Sequence, residues 1–182
     1  MSLELKKIKR EDLEQIMNWR MDPQVTKYMY TDPKLTLEQQ FEWFDRVSES
    51  ATEKYWMIVI DDTAIGVLNL AGIDHRNKRC SWAYYIGDTS FRGRGIARTL
   101  ECNIYDYVLE VLNLNKLCCE VFTFNDIVIS IHEKFGSEIE GTMKQHIYKN
   151  GQYYDIVCMG ITKDKWTKIK SEYEYEKILI ED

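Results

Sequence analysis

Across a single turn, Arg92-Gly93-Arg94-Gly95-Ile96-Ala97, the hydrophobic period of the chain changes from two to about 3.6. Before the turn, residues 55–60, 64–70 and 80–86 are β-branched and aromatic runs of strand length. After it, Ile96, Leu100, Ile104, Tyr107, Val108 and Val111 recur on one helical face. A strand that passes through paired glycines into a helix brings free backbone amides and the positive end of a helix dipole to one point, which suits an anion. Arg92 and Arg94 add charge there. Gly95-Ile96-Ala97 lacks the Lys-Ser/Thr that a P-loop needs, and Arg98 stands where a dinucleotide fingerprint would have its third glycine. Taken alone, the turn also fits an Arg/Gly-rich surface loop.

The rest of the chain completes an α/β pattern. Residues 3–8 alternate as a strand. Residues 10–19 follow as a helix that carries Leu13, Ile16 and Met17 and ends at Asp22-Pro23. Thr36 caps a second helix with Gln39 at the reciprocal position, burying Phe41, Phe44 and Val47. Beyond the central helix, residues 117–124 read as a buried strand and residues 127–135 as a helix stopped by Gly136. Strands over 141–148 and 153–161 flank Asn150-Gly151, a hairpin turn signal. The order β-α-α-β-β-β-α-β-α-β-β combines a meander with strand–helix alternation, so the sheet is expected to be mixed. One domain over residues 1–164 and a polar tail over 165–182 account for the length.

Composition excludes several classes. A formal net charge of −6 disfavours a sequence-independent grip on nucleic acid. No apolar run approaches the ~20 residues of a membrane span, and the N-terminus has no signal-peptide core, so a cytoplasmic protein is expected. Five cysteines without CxxC spacing and three scattered histidines do not make a metal site; reduced thiols and no metal are expected.

Three segments together resemble the GNAT N-acetyltransferase superfamily. Residues 92–97 match its (Q/R)-x-x-G-x-(G/A) signature, and Asn125 to Gly136 resembles its "N…A…LYEKLGF" segment. Residues 140–155 look like the closing hairpin of its ribosomal-protein-acetylating branch. The resemblance implies the splayed mixed sheet of that fold and acetyl-CoA as donor. Backbone amides of Arg92, Gly93, Arg94, Gly95, Ile96 and Ala97 would hold the pyrophosphate, Tyr84, Tyr85 and Ile86 would pair with the pantetheine arm, and Asn125 would bond the arm. The thioester would lie where the two central strands part.

Shorter matches are similar to the amino-sugar acetyltransferases of pseudaminic acid synthesis, among them Trp19-Arg20-x-Asp22-Pro23, Cys80-Ser81-Trp82 and Lys116-Leu117-Cys118-Cys119-Glu120-Val121. They imply a UDP-linked 4-amino sugar as acceptor, with Arg20 and Gln40 facing its nucleotide. A planar guanidinium suits a diphosphate. Acetylation of a ribosomal protein or of a polyamine such as spermidine is the alternative, and a non-catalytic acetyl-CoA sensor is another. A homodimer through Tyr148, Tyr153 and Tyr154 is compatible with either enzyme.

Acetyl transfer needs a deprotonated amine, a donor for the oxyanion and help for the departing thiolate. Glu120 lies in the apolar run Leu117 to Phe122, where an unpaired carboxylate would be costly; it fits a salt-bridged sheet residue, and the resemblance implies that it is the base, at the mouth of the splayed strands. Asn69 would orient a water beside it. His132 stands where the superfamily usually has Tyr as acid, and it can serve only as imidazolium, with an ordinary pKa near 6.5.

Overall fold

The computed structural model describes residues 2–182. Its strand order is β6-β7-β5-β4-β3-β2-β1-β8, a mixed sheet of eight strands with helices between them. The strands are β1 (Leu3–Lys7), β2 (Lys54–Ile60), β3 (Thr63–Asp74), β4 (Arg79–Ile86), β5 (Lys116–Phe122), β6 (Glu138–Lys149), β7 (Gln152–Thr162) and β8 (Leu179–Ile180). The helices are α1 (Leu13–Met21), α2 (Pro23–Thr26), α3 (Leu37–Ser48), α4 (Ile96–Asp106), α5 (Asp126–Lys134) and α6 (Lys163–Ile169). The chain divides into two compact units. One runs to Ala71 and takes in Ala83–Arg94 and Ile178–Asp182; the other comprises Gly72–Trp82 and Gly95–Lys177.

In the first unit β2 pairs antiparallel with both β1 and β3, and β8 adds to β1 in parallel. Pro23 starts α2 at the position where a missing N–H costs nothing, and Asp22 caps it through Gln24. The Thr36–Gln39 capping box forms as the sequence suggests. Leu13, Ile16, Met57, Val59 and Val67 make a core, with Trp19, Phe41, Phe44, Tyr55 and Tyr85 packed on it.

In the second unit β4 pairs in parallel with β5 over only three positions, Arg79–Ser81 against Lys116–Cys118. β5 keeps its antiparallel partner β7 as far as Phe122. The Asn150-Gly151 turn has positive φ at both residues, as a type I′ hairpin requires. Two expectations need correcting. Val111 does not share the buried helical face: α4 passes into a π-helical stretch, Tyr107–Val111, where the Leu112 amide reaches back to Tyr107, and the added residue rotates Val111 out to 67 % exposure. The segment 165–182 is not simply a polar tail. Trp166 of α6 is fully buried, and Asp106 accepts hydrogen bonds from Trp166, Lys170, Tyr175 and Lys177. Asn103 ties down the Glu176 carbonyl at 2.8 Å, and the Trp56 indole does the same for Glu181 within the first unit.

Candidate active site

The turn after β4 is built from its own residues. Asp88 caps a short 3-10 turn, Thr89–Phe91, and Gly93 and Gly95 both take left-handed backbone, with φ of 76° and 77°. Gly95 is the N-cap of α4, so the first amides of an 11-residue helix open at the end of the loop. A Cβ at either glycine would meet nothing within 4 Å; glycine is required there by dihedral angle, and the space over the loop is clear. The two arginines behave otherwise than expected. Arg92 donates to the carbonyls of Gln24 and Ile86, and Arg94 donates to Ser90 while lying over the Phe91 ring. Both side chains brace the loop, which leaves the backbone amides and the helix terminus as its main invitation to an anion.

Upstream, Tyr84, Tyr85 and Ile86 close β4. The Tyr85 carbonyl lies so near Gly66 that a Cβ there would stand 2.1 Å away, and Ile65 accepts from the amides of Gly87 and Asp88. The Ile86 carbonyl is partly engaged by Arg92. Trp19 of α1 meets Tyr85 edge-on at 6.4 Å and covers Gly87. Arg20 acts on the Tyr85 hydroxyl, whose pKa burial pushes up and the guanidinium charge draws partly back. Gln40 is 6 % exposed on α3. Asn69 is half-buried on β3 and pairs across to Tyr55 of β2.

In the second unit, Ile96 and Ala97 begin α4, and Asn125 is the N-cap residue of α5 without making a side-chain cap bond. Glu120 corrects an expectation: it is exposed. On β5 the alternation turns Leu117, Cys119 and Val121 into the interior and Glu120 to the other face.

His132 is the opposite case. It is 4 % exposed, and its Nδ1–H donates to Glu101 Oε1 at 2.7 Å. Glu101, fully buried on α4, accepts on its other oxygen from the Tyr105 hydroxyl, which in turn lies 3.0 Å from Ser137 Oγ. Trp82 packs against both the Tyr105 and His132 rings. Burial pulls the His132 pKa down. The Glu101 charge, with hydrogen bonds to Cys119 and Glu101, outweighs it and raises the value to about 10. His132 is therefore an imidazolium at neutral pH, the form in which it can give up a proton.

Glu101 and Tyr105 escaped sequence reading because residues 100–109 are buried on every side of the helix. A stripe search treats an acid there as solvent-facing; the usable signal was the i, i+4 spacing of Glu101 and Tyr105. Among the described residues no group of three or more His, Cys, Asp or Glu is placed to hold a metal, and no helix is long and apolar enough to cross a membrane.

Comparison with known proteins agrees with this architecture. The acetyltransferase (GNAT) domain model matches residues 2–138. Spermidine N(1)-acetyltransferase of Escherichia coli strain K12 is 26 % identical over 165 residues, covering 91 % of this chain and 88 % of the relative. An L-amino acid N-acetyltransferase of the same strain is 28 % identical over 123 residues, 66 % of this chain and 75 % of that one. Spermidine N-acetyltransferase from Vibrio cholerae, solved in complex with CoA and spermine, superposes with a TM-score of 0.86 at 24 % identity, over 91 % of this chain and 98 % of that one. The amino-sugar enzymes anticipated from short motifs are replaced by spermidine acetyltransferases as the supported likeness.

Proposed function

The chain belongs to the GNAT acetyltransferase family, and on that footing we propose that it moves the acetyl group of acetyl-CoA to the primary amine of a small molecule by direct attack. The observation that carries this reading is the left-handed Gly93 and Gly95 at the head of α4, with clear space above them. When bound, acetyl-CoA supplies an activated thioester carbonyl and a thiolate leaving group. The amides of residues 92–97 would hold its pyrophosphate, the backbone of Tyr84, Tyr85 and Ile86 and the side chain of Asn125 would hold its arm, and the chain's side chains would manage protons.

Glu120, exposed on β5, takes the proton of the incoming ammonium directly or through a water; Asn69, expected beside it, lies on β3, with β4 between the two strands. The acid's part towards the departing sulfur falls to His132, whose ring Glu101 holds by Nδ1 and keeps cationic. Cys118 and Cys119 are not needed as nucleophiles.

Spermidine is the acceptor that the relatives support. The UDP-linked 4-amino sugar keeps one physical argument, the half-buried Arg20 of the first unit with its Nε unpartnered, and it shares this with any amine that carries an anion. Thermal unfolding with acetyl-CoA tests the donor site: the parent chain should be stabilised, and Gly95→Glu, which sets a carboxylate in the anion loop, should not be. Equal stabilisation of both would overturn the assignment. For the roles, Glu120→Gln and His132→Phe should lower kcat by about 10²- to 10⁴-fold, the usual worth of a general base or acid.

A further inference from the structure

Three buried side-chain atoms among the described residues find no hydrogen-bond partner: Arg20 Nε, Gln40 Oε1 and the Tyr85 hydroxyl. All three belong to the first unit. The large majority of buried side-chain polar atoms in native proteins have a partner, so three orphans in one unit call for a cause. They also have related surroundings. Arg20 follows Trp19, whose ring meets Tyr85, and the guanidinium charge acts on the Tyr85 hydroxyl. Gln40 shares a helical face with Phe44 and Val47, and Phe44 packs on the same core cluster as Trp19 and Tyr85. The side-chain bond Arg20 does make is a long one, Nη2 to Thr31 Oγ1 at 3.5 Å, and among the described residues no carboxylate pairs with it.

The missing partners have a definite chemistry. Arg20 Nε–H is a donor on a permanent cation, and Tyr85 O–H is a donor that burial makes hard to ionise. Two such donors suit a carboxylate or phosphate oxygen. Gln40 Oε1 is an acceptor, suited to an N–H or O–H next to that anion. A polyamine, which has only cationic and apolar parts, could satisfy Gln40 but would meet Arg20 as a like charge.

We propose that Arg20 and Tyr85 recognise an anionic group on the acceptor, so that the preferred substrate is a primary amine that also carries a carboxylate or a phosphate. Resting as it does on the amine-acetyltransferase reading above, this narrows its substrate class. The anion anchors the acceptor by its non-reacting end. Recognition by paired donors also rejects the analogue that lacks the anion, because its binding leaves the same atoms unpaired.

The test is CoA release from acetyl-CoA with four kinds of acceptor: α-amino acids, their carboxamides, O-phosphoethanolamine and spermidine. Activity with an anion-bearing amine should exceed that with spermidine, and the amino acid and phosphoethanolamine arms separate carboxylate from phosphate. Arg20→Gln should raise KM for that amine by about 10- to 100-fold, the factor a hydrogen bond to a charged group is worth, and leave its uncharged analogue within about threefold. Tyr85→Phe should raise KM for the same amine while the chain without ligand melts no lower than the parent, which separates lost recognition from lost folding. Spermidine as best acceptor, with Arg20→Gln without effect on it, would overturn the anion site and keep the enzyme. No CoA release with any amine would instead overturn the reading beneath it.

Discussion

The two units treat buried polarity in opposite ways. In the second, every member of the Ser137–Tyr105–Glu101–His132 chain has a partner, and Asp106 accepts from four side chains. In the first, Arg20 Nε, Gln40 Oε1 and the Tyr85 hydroxyl have none. A satisfied polar interior is rigid and specifies one arrangement, while an unsatisfied one costs stability until something fills it. The second unit thus holds His132 in one arrangement, and the first leaves three atoms that the proposed anionic acceptor would pair.

Substitutions should therefore have opposite signs in the two units. The largest effect is expected for Glu101→Ala, which leaves the His132 imidazolium buried and unpaired; it should cost about 3–5 kcal/mol and lower the melting temperature by roughly 10 °C. A variant that melts with the parent would remove the buried ion pair from consideration. Glu101→Gln should act through pH. With His132 at about 10 in the fold and near 6.5 unfolded, the folded chain binds more protons between those values. The pairing stabilises fully below pH 6.5 and is lost as pH rises towards 10, so the parent should lose stability across that window and Glu101→Gln should lose much less. In steady state, the alkaline fall in kcat should move to lower pH in the same variant.

Gly95→Ala comes next. With nothing near its Cβ the cost is purely dihedral, about 1–2 kcal/mol, and titration should show weaker acetyl-CoA binding as well. The smallest effect, and the one that sharpens the contrast, belongs to Tyr85→Phe. Deleting an unpaired buried hydroxyl should leave the ligand-free chain equal to the parent or up to about 1 kcal/mol more stable. Clear destabilisation would mean that the hydroxyl has a partner in solution.

Much of this arrangement can be read along the chain. Local signals were sufficient for the Thr36 capping box, the Asn150-Gly151 turn and the glycine pair before α4, since each depends on neighbours within a few residues. Signals that depend on tertiary packing were not. The π-helical stretch after Asp106 shifts the phase of Val111, and total burial of residues 100–109 hides Glu101 and Asp106 among apolar neighbours. Glu120 failed the other way: an apolar run suggested burial, but strand alternation places it outside. Arg20 and Gln40 could be named from sequence, whereas their lack of partners, which gives them a chemistry, exists only in three dimensions. The family was legible from short motifs; the acceptor was not, because the resemblance ties residues 92–97 and Asn125 to the donor alone.

Release of CoA thiol from acetyl-CoA on addition of a primary amine tests the central claim most directly. The expected result is no release above buffer without an amine, and with one a rate that climbs with pH as the amine loses its proton, with the acetylated amine found by mass spectrometry in equal amount to CoA. Stabilisation of the chain by acetyl-CoA with no amine able to raise thiol release would contradict it and leave a binding protein on an enzyme's fold.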